Sequence, residues 1–149
     1  MDKETLTFKI GLKGSSNIKQ PKFNIAVNDQ IFVHASLSVT TGEVEYFEFS
    51  ADIVEGVNQL AITFLNKDPG DTAQDDQGNI VSDLLLSIDS IEIDEIDLGS
   101  LLWTMSVYNP IYPESYTNTE QKQITDVKNC VDLGWNGTWY LPFTSPFYI

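Results

Sequence analysis

The sequence predicts an all-β protein, an antiparallel β-sandwich of jelly-roll type with about nine strands. Two observations support this fold class. Apolar and polar residues alternate along most of the chain, which is the pattern of half-buried strands, and turn signals recur at short intervals between the alternating stretches. No stretch shows the spacing of a long helix. Residues 1–149 are the length of one ordinary domain, without internal repeats.

The first half of the chain predicts five strands. In the third strand, Phe32 and the only histidine, His34, fall on the more polar face. Turns are expected at Gly14, Asn28-Asp29, Gly42 and Gly56. The inward faces are predicted to carry Leu6, Phe8, Ile10 and Leu12, then Phe23, Ile25 and Val27, then Ile31, Val33, Ala35, Leu37 and Val39, then Phe47, Phe49, Ala51 and Ile53, and finally Leu60, Ile62 and Phe64.

A change of parity marks the strand pattern of residues 84–93. Leu84, Leu86 and Ile88 share one face, whereas Ile91 and Ile93 take the other. Such a switch inside a continuous strand predicts a β-bulge, near Asp89-Ser90. The dipeptide Asp94-Glu95 then predicts a tight turn into a short strand that carries Ile96 and Leu98.

The C-terminal segment predicts a hairpin. Asn136-Gly137, a dipeptide typical of type I′ turns, would join a strand with Leu133 and Trp135 to a strand with Trp139 and Leu141, with both tryptophans in the core. The chain ends on the apolar letters SPFYI. Because an exposed apolar edge promotes association, we expect this end to pair in a sheet or to form a homo-oligomer contact through the C-terminal strand.

The charge balance excludes several classes of partner. Eight basic residues, all lysines, face 22 acidic ones, which gives a net charge of −14. Binding to nucleic acid or to an anionic membrane needs a basic surface, so neither is expected. A neutral partner, a cationic partner, or one reached through a bound cation fits better. Residues 1–20 lack the apolar segment of a secretory signal, and no apolar run is long enough to span a bilayer.

The acidic loop, residues 66–79, has two interpretations. Calcium binds carboxylate and amide oxygens in loops with glycine and proline, so the loop is a candidate calcium site. Alternatively, its charge only keeps strands from associating. An EF-hand is excluded, because placing Gly78 at the sixth position puts Ala73 and Leu84 at ligand positions. The candidate ligands are Asn66, Asp68, Asp71, Asp75, Asp76 and Asp83.

Aromatic residues in the last third of the chain are candidates for ligand contact, because exposed rings stack on the apolar faces of sugars. Tyr108, Tyr112 and Tyr116 lie among prolines, so we expect an exposed loop that presents their rings, and Trp103 precedes them. A neutral glycan is therefore the predicted ligand.

Support for catalysis is weak, and the protein is not expected to be an enzyme. A lone histidine on a strand argues against catalytic triads and histidine-bound zinc. The single cysteine, Cys130, excludes a disulfide framework and is expected to be a small buried apolar residue. Paired carboxylates on strands keep a small glycosidase open as an alternative: Glu43, Glu45, Glu48, Asp89, Glu92 and Asp94.

Residues 60–98 resemble part of a family of calcium-dependent, xylan-binding carbohydrate-binding modules. In both, a strand with a Phe-x-Asn motif, here Phe64 and Asn66, precedes an aspartate-bearing loop, a strand and a short hairpin. Glu95 stands where that family has a hairpin glycine, and no tryptophan lies among the loop acids. The resemblance implies a β-sandwich, glycan binding and calcium in the loop.

The same stretch also resembles small β-sandwich proteins of tailed marine bacteriophages, which implies a virion location and a partner on the virion surface. The leading hypothesis is therefore a non-catalytic, carbohydrate-binding module that recognises neutral glycan with calcium and is displayed on a phage virion. Two alternatives remain: a purely structural virion decoration protein and the small glycosidase.

Overall fold

The computed structural model describes residues 3–14, 20–38, 42–66, 73–74, 76–77, 80–82, 84–110, 127–133 and 135–145. They form the predicted antiparallel β-sandwich, with one helical turn, α1, at Leu101–Thr104. The strands are β1 Lys3–Gly14, β2 Lys22–Val27, β3 Gln30–Ser36, β4 Glu45–Val54, β5 Gly56–Phe64, β6 Ala73–Gln74, β7 Ile80–Ser82, β8 Leu86–Ile93, β9 Ile96–Asp97, β10 Val107–Pro110, β11 Val127–Lys128, β12 Asp132–Leu133 and β13 Gly137–Ser145.

Two sheets make up the sandwich, with eleven strands in the described part of the chain against about nine predicted. The five-stranded sheet has the order β12-β8-β1-β4, with β9 paired to β8. The six-stranded sheet has the order β11-β10-β13-β5-β2-β3, and β6 and β7 form a small separate hairpin. The chain passes between the sheets from β1 to β2, from β3 to β4 and from β4 to β5, so strands distant in sequence become neighbours.

Phenylalanine contacts join the two sheets. Phe8 and Phe49 of the five-stranded sheet stack with ring centroids 5.0 Å apart. Phe49 also stacks on Phe32 of the six-stranded sheet at 4.9 Å, and Phe8 meets Phe143 edge-on at 5.9 Å. Each offset or edge contact contributes about 0.5–1.5 kcal/mol of stability beyond that from burial of the apolar ring surface. This aromatic stack therefore fixes how the sheets lie on each other.

The bulge predicted from the parity change in β8 is confirmed. Gly11 of β1 pairs with Ser90, whereas the next residue, Leu12, pairs with Ile88, so Asp89 is the extra residue. The bulge keeps Ile88 and Ile91 both buried, although they have opposite parity. The predicted turn at Asp94-Glu95 is confirmed as well, with φ values of 51° and 69° that match a type I′ hairpin.

The predicted facing of β3 was wrong at its start. Ile25 of β2 pairs with Val33, but the next residue, Ala26, pairs with Ile31, so Phe32 is an extra residue at a second irregularity. As a result Phe32 packs against the core, whereas Ile31 is 56% exposed. Strict alternation could not show this, because one inserted residue exchanges the faces of a strand.

The predicted C-terminal hairpin was also wrong. β12, which carries Leu133, pairs with β8 in the five-stranded sheet, whereas β13 lies between β10 and β5 in the other sheet. Asn136 is not among the residues with positive φ, and Gly137 has φ 143°, so the dipeptide lacks the type I′ geometry. Trp139 is fully buried as predicted, and Trp135 is half-buried.

In the described part of the chain, no helix has both the length and the apolar character needed to cross a membrane. α1 is a single turn that buries Leu102.

Gly137→Ala should destabilise the fold far more than Gly99→Ala. Both glycines have positive φ, but only at position 137 would an added Cβ meet backbone, 2.7 Å from Pro110 Cα and closer still to the carbonyl oxygen of Asn109. We expect urea unfolding to show a loss of about 3 kcal/mol or more for Gly137→Ala. At position 99 an added Cβ meets no neighbour, so the only penalty is that alanine must adopt a left-handed backbone conformation. Gly99→Ala should therefore cost about 1–2 kcal/mol. Equal losses would contradict this account of the β10–β13 contact.

Candidate functional site

The strand registers show that the acidic loop and the tyrosine-bearing segment, residues 111–126, start at the same end of the sandwich. Phe64, the last residue of β5, pairs with Gly137 of β13, which in turn pairs with Pro110, the last residue of β10. The acidic loop follows β5, and residues 111–126 follow β10. We call this end, defined by Phe64, Gly137 and Pro110, the loop end.

Most of the predicted ligand residues lie outside the described part of the chain. Asp76 is described, and it lies exposed in the turn between β6 and β7. Within the described residues, no group of three His, Cys, Asp or Glu side chains is arranged to hold a metal ion. The predicted calcium site therefore stays a prediction. The residues outside the described part are Asp68, Asp71, Asp75, Asp83, Tyr112 and Tyr116.

Asn66 holds the base of the acidic loop against the start of β2. Its Oδ1 accepts a hydrogen bond from the backbone N–H of Lys22 at 2.8 Å, and its Nδ2 donates to the carbonyl oxygen of Gln20 at 3.0 Å. The neighbouring Leu65 N–H donates to the carbonyl of Lys22 at 2.9 Å. The side chain thus has a structural role, which leaves one lone pair on Oδ1 for any further ligand.

The expectation that Tyr108 is an exposed ring in a loop was wrong. Tyr108 lies in β10 and is 4% exposed, so neither face of its ring can stack on a sugar. Its hydroxyl donates to the carbonyl oxygen of Trp135 and accepts from the Trp135 N–H at 3.1 Å. Pro110 suggested a loop, but a proline fits at the end of a short strand next to the sheet edge. The buried Tyr108 side chain therefore fixes the position of the Trp135 backbone near the loop end.

Trp103 is half exposed, at 50%, on the helical turn α1. The carbonyl oxygen of Trp103 accepts a hydrogen bond from Asn129 Nδ2 at 3.2 Å. In the sequence, α1 with Trp103 precedes β10, whereas residues 111–126 with Tyr112 follow β10. Trp103 and Tyr112 are therefore connected to opposite ends of that strand. The role of Trp103 in ligand binding remains a prediction.

A second polar surface, which the sequence analysis did not identify, crosses the outer face of the five-stranded sheet. It is a groove of about 590 Å³, here called the sheet-face groove. The backbone of β1 and β4 forms its floor, because the inward-facing residues Phe8 and Phe49 contribute to its lining. The polar side chains along it are Thr7, Lys9, Glu48, Ser50, Glu92 and Glu95.

Lys9 lies in the middle of the groove between two acids. It pairs in register with Glu48 of β4 on one side and with Glu92 of β8 on the other. Among the described residues, the Lys9 Nζ makes no ion pair within 4 Å. The ion pair found there joins Lys13 Nζ to Asp89 Oδ1 at 3.9 Å. The ammonium instead lies over the ring of Tyr46, 4.8 Å from the centroid.

The carboxylates on this face differ in whether they have partners. Asp52 accepts from Thr5 Oγ1 at 2.7 Å, and Asp94 accepts from the N–H of Thr7 at 2.8 Å. By contrast, the acids of the groove make no hydrogen bond or ion pair with any described residue: Glu48, Glu92 and Glu95. The groove thus presents carboxylate acceptors that have no partner among the described residues.

Specific contacts define both ends of the groove. At one end, three hydrogen bonds between Thr7 and Asp94, of 2.8, 2.8 and 3.1 Å, anchor the Asp94-Glu95 turn on β1. Glu95 has φ 69° in this turn, a conformation that costs a residue other than glycine about 1–2 kcal/mol. At the other end the Tyr46 ring lies over Gly11, whose missing side chain leaves room for it, since an added Cβ would be 3.0 Å from Tyr46 Cε1.

The groups expected for common catalytic sites do not assemble in the described residues. The Nδ1 atom of His34 contacts Asn24 Oδ1 on an exposed face, without an acidic or nucleophilic partner. Cys130 is half-buried and packs against the core, with its Sγ donating to the Asp132 carbonyl at 3.1 Å. Burial raises the pKa of the Cys130 thiol, so the thiolate that a nucleophile requires is disfavoured.

Comparison with known proteins identifies the fold. No known protein family and no curated protein matches the sequence. Two solved structures of vCBM60 are similar over 93% of this chain, at 14% sequence identity. One, in complex with galactobiose, is covered over 97% of its length with a TM-score of 0.55; the other, a selenomethionine form described among calcium-dependent carbohydrate binding modules, is covered over 90% with a TM-score of 0.59. The chain therefore has the β-sandwich fold of a carbohydrate-binding module.

Tyr108→Phe should destabilise the protein although the ring is kept. The change removes the hydroxyl that bonds to both backbone groups of Trp135, and each such hydrogen bond contributes about 0.5–1.5 kcal/mol. Urea unfolding should show a loss of this size. The matched control is Tyr46→Phe, whose hydroxyl is exposed and should matter by less than about 0.5 kcal/mol. Equal effects of the two variants would refute the supporting role of Tyr108.

The Cys130 thiol should react slowly in the folded state. Because burial raises its pKa, less thiolate is present at a given pH, and the rate of iodoacetamide alkylation should reach its midpoint at a higher pH than in the urea-unfolded chain. The measurement is the pH–rate profile of both states by mass spectrometry. A folded-state midpoint at or below the unfolded one would show that burial does not control this thiol.

Proposed function

We propose that this protein is a non-catalytic carbohydrate-binding module that recognises neutral glycan at its loop end with the help of calcium. The observation that carries the proposal is the fold, which is shared with vCBM60 over 93% of this chain. The strand registers support it, since they start the acidic loop and the tyrosine-bearing segment at the same end of the sandwich. Calcium is thus proposed for the loop, and glycan for the surface beside it.

The residue types fit this proposal. A hard cation such as Ca²⁺ takes six to eight oxygen ligands, and the acidic loop offers carboxylates for several of them. Asn66 would hold the base of the loop in place by its bonds to Lys22 and Gln20. A bound cation would also offset part of the −14 charge. The proposed ligands are Asp68, Asp71, Asp75, Asp76 and Asp83, with Asn66 as a supporting residue.

Neutral glycan follows from the charge and the aromatics. An acidic chain without arginine repels phosphate and sulfate, whereas uncharged sugar hydroxyls are not repelled. Tyr112 and Tyr116 are the proposed stacking residues at the loop end, and Trp103, which precedes the opposite end of β10, is a separate candidate contact. Tyr108 acts beneath this surface by holding Trp135.

A structural role on a phage virion is the second candidate, and one observation favours it. Ser145, the last residue of β13, pairs with Gly56, and the adjacent Val57 is 80% exposed. The apolar residues 146–149, which lie outside the described part of the chain, follow β13 at this end of the sheet. A contact between subunits, or with a virion surface protein, would cover such apolar residues. Size-exclusion chromatography that shows a defined oligomer without any glycan binding would favour this candidate.

The glycosidase alternative has less support. Among the described carboxylates, Glu48 and Glu92 face the same groove, but Lys9 lies between them in register. In a glycosidase the space between two carboxyl groups holds the sugar and an attacking water. Turnover of a chromogenic glycoside, lost on changing either glutamate, would revive this alternative.

Calcium binding should depend on the acidic loop. Wild-type protein titrated with CaCl₂ in a calorimeter should release or absorb heat and gain thermal stability, because calcium bound to the folded state alone stabilises it. Asp71→Asn with Asp75→Asn should lose both effects. The control is Glu43→Gln with Glu55→Gln, which removes the same charge at exposed positions outside the loop. Absence of heat and of a thermal shift in the wild type would remove calcium from the proposal.

Glycan binding at the loop end should require calcium. On an array of neutral glycans, binding by wild-type protein should disappear with EDTA and return with added CaCl₂. Tyr112→Ala should weaken glycan binding by roughly tenfold or more. The variant loses the buried apolar surface of the ring and also the aromatic contact, which adds about 1 kcal/mol to the binding free energy. Array binding that is unchanged by EDTA would show that the loop-end site does not act through calcium.

A further inference from the structure

We infer that the sheet-face groove is a second, calcium-independent site for a neutral oligosaccharide. It lies on the outer face of the five-stranded sheet, and its residues are distinct from the acidic loop and from Tyr112 and Tyr116. The inference goes beyond the function proposed for the loop end, and it rests on residues that the structure describes.

The size of the groove suits a small ligand. Its volume of about 590 Å³ falls within the range of roughly 300–1,000 Å³ that is common for small-molecule sites. β1 and β4 run along its floor, and the Asp94-Glu95 turn closes one end. An extended chain of a few sugar units has a shape that such an open groove accommodates.

The polar groups alternate in a row across the groove. Glu48, Lys9 and Glu92 occupy paired positions on three adjacent strands, so an acidic, a basic and an acidic residue follow one another on strands about 4.8 Å apart. These three side chains make no ion pair with each other in the described part of the chain. The two glutamates can therefore bond a ligand without first breaking a bond inside the protein, whereas the Lys9 ammonium keeps its contact with the Tyr46 ring or exchanges it for a ligand hydroxyl.

This row favours hydroxyl groups over ions. An anion would meet the carboxylates of Glu48, Glu92 and Glu95, and a divalent cation would meet the ammonium of Lys9. A protonated amine would likewise be repelled by Lys9. A sugar hydroxyl can donate to a carboxylate and accept from an ammonium, so an uncharged polyhydroxyl ligand matches all of these groups.

An exposed ring completes the surface. Tyr46 is 52% exposed and lies beside the groove, against Gly11 on one side and with the Lys9 ammonium over its ring. The edge of the ring and its phenolic hydroxyl can contact a sugar that occupies the groove. Because the groove is open and its side chains are solvated, we expect weak binding, with a dissociation constant on the order of 0.1–1 mM.

The test is an NMR titration of ¹⁵N-labelled protein in EDTA, which removes any calcium from the loop end. The probes are xylohexaose, cellohexaose and a galactan-derived hexasaccharide, each added separately. We expect at least one probe to shift the amide signals of Lys9, Ser50 and Glu92 while those of Asn66 and Gly137 stay in place. No shift at the groove with any of the three probes would overturn the inference.

Variants separate binding from structure. Glu48→Ala with Glu92→Ala removes both acceptors of the row, and the dissociation constant for the responding probe should rise at least roughly tenfold. Glu43→Ala with Glu55→Ala removes equal charge outside the groove and should leave affinity unchanged. None of the four side chains is buried in the core, so thermal stability should be retained. Equal affinity in the two double variants would overturn the inference.

The outcome is independent of the loop-end proposal. If Asp71→Asn with Asp75→Asn abolishes calcium heat but leaves the groove shifts intact, both sites exist. If wild-type protein shows no calcium heat while the groove shifts persist, the loop-end proposal fails and the groove remains.

Discussion

The stack of phenylalanine rings between the sheets is the contact on which the rest of the structure depends. Phe49 and Phe8 of the five-stranded sheet stack on each other and contact Phe32 and Phe143 of the six-stranded sheet, and these ring contacts set the relative position of the layers. Replacing a buried phenylalanine with alanine costs about 3–5 kcal/mol, a large part of the stability of a typical domain. With the layers held this way, the acidic loop and residues 111–126 start from fixed points, and the outer face of the five-stranded sheet keeps a constant shape.

The sequence could predict those features that depend on neighbours along the chain. The facing of β1, the bulge near Asp89 and the turns at Asn28-Asp29 and Asp94-Glu95 were all predictable, because parity and turn chemistry are local. The irregularity at Phe32 was not, since Phe32 and Ile31 are both apolar and either can be placed inside. The partner of β12 was not predictable either, because pairing between distant strands leaves no local pattern.

In the candidate sites, too, the sequence could predict local features but not those that depend on pairing between distant strands. Composition and spacing could identify the acidic loop and the tyrosine-rich segment, but only strand register shows that both begin at one end of the sandwich. Tyr108 was assigned to the surface because prolines follow it, and its burial depends on β11 and β13 on either side. The groove was missed because Glu48, Lys9 and Glu92 are separated by dozens of residues and meet only through the pairing of β4, β1 and β8.

The extra residue at Asp89 has an evolutionary consequence. It rotates the rest of β8 by one position, so that Ile91 and Ile93 enter the core while Ser90 and Glu92 turn outward. Loss of one codon at this point would return Ile91 and Ile93 to the outer face and place Ser90 and Glu92 in the core, where an unpaired carboxylate is costly. The aliphatic core and the acidic outer face of this sheet thus depend on the same inserted residue, so selection should act against length changes here more strongly than against substitutions at outward positions.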